Sequence, residues 1–247
     1  MSHEYPKNRQ DRWSRVVAAI RTVSTPSDEE KLLDELLSAQ KPLVLGFVNA
    51  HAMNCIVRDE RFFDALMSAD ILLRDGSGMV MLYRRMGIAP GFNMNGTDFI
   101  PKVLVASRGR KVALWGTQSP YLELAADRCR NELGVHVISR EHGFHDDGFY
   151  QQLASAINPQ IIVLGMGMPK QERVAASIRN AGFSGLIICG GAIIDFLGGK
   201  VTRAPSWMRK LGCEWLYRLL CEPLRLFKRY LIGNPLFLFR AWRWSGG

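Results

Sequence analysis

The sequence predicts an α/β protein with a Rossmann-like, mainly parallel sheet of about six strands and helices on both faces. Short, continuous apolar runs recur along the chain up to about residue 199, and such runs are typical of strands that are covered on both sides. Segments with the apolar spacing of helices separate these runs, and this alternation indicates right-handed crossovers between parallel strands. Several runs end at glycine-containing turns with polar side chains, where open parallel sheets bind their ligands.

The predicted elements divide the chain into three parts. A basic, partly helical lead-in over residues 1–24 precedes an α/β domain of residues 25–199, and a basic, aromatic, helical appendage occupies residues 200–247. Ser27 and Glu30 have the spacing of a capping box and predict the first helix of the domain. The apolar runs predict strands at residues 42–48, 70–73, 111–115, 135–140, 161–164 and 185–189.

Composition limits the class of protein. Hydrophobic residues make up 47% and charged residues 22%, which is typical of globular proteins. No apolar run reaches the roughly 18 residues of a membrane-spanning helix, and the polar N-terminus lacks the apolar core of a signal peptide. The five cysteines have no Cys-x-x-Cys spacing. We therefore expect a cytoplasmic protein with reduced thiols.

Positive charge is concentrated in the C-terminal appendage. Residues 200–247 contain ten Lys and Arg and two acids, which accounts for +8 of the net charge of +9. Aromatic residues lie among these charges, at Trp207, Trp215, Tyr217, Phe227, Tyr230, Phe237, Phe239, Trp242 and Trp244. The pattern favours an anionic membrane surface as partner and not nucleic acid, for which no recognised motif is present. A soluble nucleotide-binding module that contacts nucleic acid through the appendage is the alternative.

One strand–turn–helix corner has the features of a ligand site, Ile161-Ile-Val-Leu-Gly-Met-Gly-Met-Pro-Lys-Gln-Glu-Arg173. Gly165 and Gly167 let the backbone turn tightly and approach a ligand, and Pro169 suits the first helical position. Gln171 then lies in the first helical turn, beside free N–H groups. Two further corners have backbone N–H groups that are suited to a diphosphate, one with Gly76 and Gly78 and one with Gly190 and Gly191.

Asp75 is the carboxylate that the pattern favours for acid–base chemistry. It directly follows a predicted strand, and there it can accept a proton from a nucleophilic hydroxyl as general base. The alternative is a cap on the helix that begins near Ser77. No Walker loop and no Gly-x-Gly-x-x-Gly fingerprint occurs, and the histidines lack metal-ligand spacing. We therefore expect neither a cofactor nor a metal.

Three blocks of the sequence together resemble the WecG/TagA/CpsF glycosyltransferases, glycosyltransferase family 26. The first runs from residue 49 to Asp75-Gly-Ser-Gly78, and the second is Gly165-Met-Gly-Met-Pro-Lys-Gln-Glu172. The third is Gly191-Ala-Ile-Ile-Asp-Phe-Leu-Gly-Gly-Lys-Val-Thr-Arg-Ala-Pro205, with Leu211-Gly-Cys-Glu-Trp-Leu-Tyr-Arg218 and Glu222-Pro-Leu-Arg225 after it. The likeness covers residues 42–235.

The resemblance implies a metal-independent, inverting enzyme of bacterial surface-polysaccharide synthesis. Such enzymes transfer a sugar from a nucleotide-sugar, typically UDP-linked, to a polyprenyl-diphosphate-linked saccharide at the inner face of the cytoplasmic membrane. It also implies that residues 25–199 are the catalytic domain. A further copy of the chain is among the candidate partners, as a homo-oligomer. By resemblance, Asp75 is the general base, Asn49 and Gln171 line the sugar site, and the appendage closes the site with Arg218, Arg225 and Arg229 on the diphosphate. Arg203 is a further candidate for substrate binding.

Two positions depart from the family pattern. Teichoic-acid members have a threonine where this chain has Phe47, and an arginine where it has Asn93. Both positions lie near the sugar in the family. An N-acetylmannosamine donor is therefore not carried over, and a hexose donor of an exopolysaccharide pathway is at least as well supported.

Overall fold

The computed structural model of the protein describes residues 5–39 and 41–244; residues 1–4 of the lead-in and 245–247 of the appendage lie outside this description. Within it, seven strands form one parallel sheet in the order β1-β3-β2-β7-β6-β4-β5. The strands are β1 (Ile20–Arg21), β2 (Leu43–Val48), β3 (Ile71–Arg74), β4 (Lys111–Gly116), β5 (His136–Glu141), β6 (Ile161–Gly165) and β7 (Leu186–Cys189).

Helices connect the strands and form the C-terminal segment. The helices of the lead-in and domain are α1 (Tyr5–Ala19), α2 (Pro26–Ser38), α3 (Ala50–Cys55), α4 (Glu60–Met67), α5 (Ser77–Arg85), α6 (Gly96–Ala106), α7 (Tyr121–Asn131), α8 (Asp147–Ile157), α9 (Lys170–Asn180) and α10 (Ile193–Leu197). Those of the C-terminal segment are α11 (Ser206–Lys210), α12 (Glu214–Cys221), α13 (Pro223–Phe227), a π-helix (Lys228–Ile232) and α14 (Gly233–Arg243).

Helices cover both faces of the sheet, which confirms the predicted fold class. All six residues of β2 are buried, and successive side chains point to opposite faces. Leu45 and Phe47 pack in one core cluster with α2 and α6, whereas Val48 packs in another with α3, α4 and α5. Continuous burial on both faces is the reason why the apolar runs located the strands.

Two details differ from the sequence-based expectation. The sheet has seven strands because residues 20 and 21 add β1, which pairs Ile20 with Leu72. The first domain helix is capped by Thr25 and not by Ser27. The Thr25 side chain accepts from the backbone N–H of Asp28 at 3.1 Å, and the Asp28 carboxylate accepts from that of Thr25 at 2.9 Å. Pro26 occupies the first helical position, where its missing N–H costs nothing.

The last helix packs against the lead-in and the domain. The Phe237 side chain of α14 is 1% exposed and stacks on Trp13 of α1 with ring centroids 5.5 Å apart. The Arg85 guanidinium of α5 donates to the carbonyls of Ala241 and Trp242 at 3.1 and 2.7 Å. These contacts hold the C-terminal segment beside the carboxyl ends of β2 and β3. No helix within residues 5–39 and 41–244 is both long and apolar enough to cross a bilayer.

Candidate active site

A cavity of about 790 Å³ opens at the carboxyl ends of the strands. Its two walls come from distant parts of the sequence. Residues just past β2, β3, β6 and β7 form one wall, namely Asn49, Asp75, Gly165, Gly167, Gln171, Gly190 and Gly191. Residues of α12, α13 and the π-helix form the other, including Arg218, Arg225, Lys228 and Arg229. The structure therefore brings together most of the site residues that the sequence indicated.

A second cavity of about 310 Å³ meets the first at Asp75. The two cavities share six lining residues, namely Asn49, His51, Asp75, Thr97, Arg218 and Arg229. Beyond them, the second cavity is lined by Gly76, Gly78 and Asn93. The C-terminal segment contributes both apolar and polar residues, including Trp215, Tyr230, Phe237, Leu238, Arg209, Glu214 and Asn234. Asp75 thus lies where two ligands bound in adjacent cavities would meet.

Backbone and side-chain hydrogen bonds fix the position of Asp75. Its backbone N–H donates to the Val48 carbonyl at 2.8 Å, which joins the ends of β2 and β3. The Asn49 Nδ2 donates to Asp75 Oδ2 at 3.4 Å. Asn49 Oδ1 accepts from the first N–H groups of α3, those of His51 and Ala52, both at 3.1 Å. This cap fixes the orientation of the Asn49 amide, so its donor faces the carboxylate.

The Asp75 carboxylate does not cap α5, because that helix begins after Gly76 without a side-chain cap. Burial raises the pKa of Asp75, while the Asn49 hydrogen bond and the nearby cations Arg229 and Arg218 act in the opposite direction. A carboxylate with a raised pKa is the better proton acceptor when it is ionised. Asp75 therefore has the placement and the electrostatics of a general base.

Arg229 lines both cavities, and the nearby Asp75 carboxylate offsets its positive charge only in part. Within residues 5–39 and 41–244 it makes no ion pair, and its buried Nε has no hydrogen-bond acceptor. Burial lowers the pKa of Arg229, and the neighbouring Arg218 acts in the same direction. Arg225 is paired, with Glu222 at 2.7 Å and Asp195 at 3.5 Å. Buried guanidinium groups without acceptors favour a ligand with several anionic oxygens, such as a diphosphate.

The glycine corners contribute space to the cavity, whereas three of their N–H groups are already paired. The N–H groups of Gly167 and Gly191 both donate to Gln171 Oε1, at 3.2 and 2.9 Å. The Gly190 N–H donates to the Leu164 carbonyl at 2.8 Å. The arginines of the C-terminal segment are therefore the main groups left to neutralise a diphosphate.

Arg203 is the predicted site residue that the structure does not bring to the others. It lines neither cavity, and its guanidinium pairs with Asp98 at 2.8 Å and Glu214 at 3.1 Å. These ion pairs connect the start of α6 to α12. The position of Arg203 is that of a brace between the domain and the C-terminal segment.

Asp195 lines the larger cavity and was not among the predicted site residues. It accepts a hydrogen bond from Thr117 Oγ1 at 2.6 Å and pairs with Lys200 at 3.3 Å and Arg225 at 3.5 Å. The signal in the sequence was a lone acid four residues after Gly191 in an otherwise apolar segment. Among the described residues, no three His, Cys, Asp or Glu side chains cluster in a way that could hold a metal ion.

Comparison with known proteins agrees with this geometry. The chain is 29% identical over 208 residues to the N-acetylglucosaminyldiphosphoundecaprenol N-acetyl-beta-D-mannosaminyltransferase of Bacillus subtilis (strain 168), an alignment that covers 82% of this chain and 79% of the relative. The sequence model of the Glycosyl transferase WecG/TagA/CpsF family matches residues 18–246, which include both walls of the larger cavity. The protein is a glycosyltransferase and belongs to the WecG/TagA/CpsF family.

Proposed function

We propose that the protein transfers a hexosyl or N-acetylhexosaminyl group from a UDP-linked nucleotide-sugar to a saccharide on a polyprenyl diphosphate. The product would serve exopolysaccharide or other surface-polysaccharide synthesis. The observation that carries the proposal is the position of Asp75 between a cationic cavity and a second cavity whose lining includes aromatic side chains. The name of the Bacillus subtilis relative supports a lipid-diphosphate acceptor.

The nucleotide-sugar donor occupies the larger cavity in this proposal. Its volume of about 790 Å³ falls within the range of ligand sites. The donor diphosphate lies against Arg225, Lys228 and Arg229, and the sugar lies against the glycine corners. Phe47 forms part of this cavity with its ring, so the donor sugar meets an apolar surface beside Asn49.

The acceptor saccharide occupies the smaller cavity, with its nucleophilic hydroxyl at Asp75. The lining includes the aromatic side chains of Trp215 and Tyr230, and aromatic surface suits the apolar faces of a sugar or the start of a lipid chain. Asn93 lies at the same cavity and accepts from the Gly76 N–H at 2.8 Å, so it also secures the turn after Asp75.

The reaction is a direct displacement with inversion. Asp75 takes the proton of the acceptor hydroxyl as the oxygen bonds to the anomeric carbon, and the bond from that carbon to the diphosphate oxygen breaks. Arg218 and Arg229 stabilise the negative charge on the departing diphosphate. In this proposal the reaction needs no metal ion, because guanidinium groups at the cavity supply the positive charge that the leaving group needs.

The C-terminal segment binds the inner face of the cytoplasmic membrane in this proposal. Several large apolar side chains of α12, α13 and α14 are exposed, among them Leu224, Leu220 and Trp242 at 98%, 72% and 65%. Basic residues lie among them, and a surface with both features suits an anionic bilayer. Peripheral binding of this kind brings the active site to a membrane-anchored acceptor.

Asp75→Asn tests the mechanism. The change keeps the size of the side chain and removes the base, so transfer should fall by roughly 100-fold or more. Binding of UDP, measured by calorimetry, should remain, because the arginines that hold the diphosphate are intact. Asp64→Asn, on the exposed side of α4, is the matched control and should keep full activity. Full transfer activity in Asp75→Asn would refute the assignment.

A further inference from the structure

Glu172 is a buried carboxylate that the proposed mechanism does not use. Glu172 lies in the first turn of α9 and is only 2% exposed. Oε1 accepts from Gln171 Nε2 at 2.8 Å, whereas Oε2 has no hydrogen-bond partner among the described residues. Burial raises the pKa of Glu172 to about 7. A buried carboxylate whose second oxygen lacks a partner destabilises the fold, and its presence calls for a local reason.

The adjacent Gln171 bridges two corners of the larger cavity. Its Oε1 accepts from the N–H groups of Gly167 and Gly191, at 3.2 and 2.9 Å. Since both groups are donors, only the amide oxygen can face them, and the amide NH₂ must point elsewhere. The amide NH₂ points to Glu172. Because an ionised carboxylate accepts hydrogen bonds and donates none, it favours this orientation of the Gln171 amide.

The two glycine corners depend on this bridge. Gly167 and Gly191 follow the neighbouring strands β6 and β7, with φ values of +79° and +60°. A Cβ built on either glycine would meet no atom within 4 Å, so packing does not hold the corners on that side. The Gly190 N–H joins the ends of β7 and β6 through the Leu164 carbonyl, and beyond this point the hydrogen bonds to Gln171 connect Gly167 with Gly191.

We propose that Glu172 is a positioning residue: it fixes the orientation of the Gln171 amide, and through that amide it holds the two glycine corners together as a wall of the donor cavity. The assignment of the cavity to the donor rests on the proposed function. The hydrogen-bond chain from Glu172 to Gly167 and Gly191 stands without it.

Glu172→Met separates positioning from an ordinary structural role. Methionine is unbranched, apolar and of similar length, so it removes the acceptor and the buried charge without leaving a large cavity. If Glu172 were a structural anchor, the melting temperature would fall. In a positioning role the melting temperature stays the same or rises, and only the two corners loosen.

Hydrogen exchange with mass spectrometry on the full-length protein measures the corners directly. In Glu172→Met, peptides over residues 165–172 and 189–193 should exchange roughly tenfold faster than in the wild type, with the rest of the sheet unchanged. Glu172→Gln retains a side-chain oxygen that can accept from Gln171 and should exchange close to the wild-type rate. Glu123→Met is the matched control, because Glu123 is the third residue of α7 and Glu172 is the third residue of α9. It should leave the exchange rates of both corners unchanged.

Three results would overturn the inference. The first is that both corners of Glu172→Met exchange at the wild-type rate. The second is that the corners exchange equally fast in Glu172→Gln and Glu172→Met. The third is that Glu172→Met exchanges faster throughout the protein and has a lower melting temperature. Calorimetry with UDP tests the proposed function separately. A wild-type protein that fails to bind UDP contradicts the UDP-linked donor, while the exchange rates still decide the role of Glu172.

Discussion

Replacing Glu172 by Gln should make the protein more stable at neutral and alkaline pH, and the gain should vanish in acid. The pKa of Glu172 is about 7 in the folded protein against an ordinary value of 4.5, because the carboxylate is buried. Above pH 7 the folded protein therefore holds an ionised group that the unfolded chain would solvate. Glutamine removes this penalty and keeps a side-chain oxygen that can accept from Gln171.

The size and the sign of the effect follow from the two pKa values. A shift from 4.5 to about 7, at about 1.36 kcal/mol per unit, amounts to about 3 kcal/mol when the group is fully ionised. The folded-state pKa lies above the unfolded one, so the favourable contribution of protonated Glu172 is complete below pH 4.5. It is lost as the pH rises through 7. The difference in free energy of unfolding between variant and wild type should therefore be small at pH 4 and approach about 3 kcal/mol at pH 8.

Urea unfolding at a series of pH values, extrapolated to water, measures this difference. Glu123→Gln is an informative control with the opposite sign. A hydrogen bond from Ser119 lowers the pKa of Glu123, so that substitution should lower stability at neutral pH or leave it unchanged. A Glu172→Gln protein that is less stable than the wild type at pH 8, or a difference that does not grow with pH, would refute the reasoning.

Three further substitutions test the site and the C-terminal segment. Arg229→Met should raise the pKa of Asp75, because the arginine lowers it, and the acid limb of the pH–rate profile should move to higher pH. Asn54→Leu removes hydrogen bonds to the Gly233 carbonyl and from the Arg240 guanidinium, both 2.7 Å, and should speed proteolysis of the C-terminal segment while costing about 1–3 kcal/mol of stability. Leu224→Asp should reduce sedimentation with anionic liposomes at an unchanged affinity for UDP.

Each of these expectations has a result that contradicts it. If the acid limb of the pH–rate profile does not shift in Arg229→Met, then Arg229 does not affect the pKa of Asp75. Wild-type proteolysis rates in Asn54→Leu would show that other contacts hold the segment. Leu124→Asp, an equally drastic change on exposed α7, is the control for Leu224→Asp. Equal loss of liposome binding in both would contradict the membrane surface, and wild-type binding of DNA in preference to liposomes would favour the nucleic-acid alternative.

The sequence was sufficient for the sheet because its strands are buried on both faces. An apolar run such as residues 161–164 predicts a strand without knowledge of its neighbours. Ile20 and Arg21 offered no such signal, since two residues have no periodicity and form β1 only by pairing with β3. The cap on α2 was misplaced at Ser27 because the helix begins two residues earlier, at Pro26, which makes Thr25 the cap.

The residues at the site were predictable, but their partners were not. Position after a strand and beside glycines selected Asp75 and Gln171, because the carboxyl edge of a parallel sheet gathers such residues. That Gln171 would occupy the N–H groups of Gly167 and Gly191 depends on side-chain directions that spacing along the chain does not encode. In the same way, the block that contains Arg203 suggested substrate contact, whereas Asp98 and Glu214 from two separate helices take up its charge.

Helix α3 relates the two halves of the active site in a way that no local pattern indicated. Asn49 caps its start and faces the Asp75 carboxylate, and Asn54 near its end donates to the carbonyl of Gly233. Gly233 directly follows the π-helix that carries Arg229. Because α3 has only six residues in all, one short helix fixes the proposed general base, Asp75, relative to the segment that carries Arg229. A substitution at either asparagine should therefore disturb the positions of both Asp75 and Arg229.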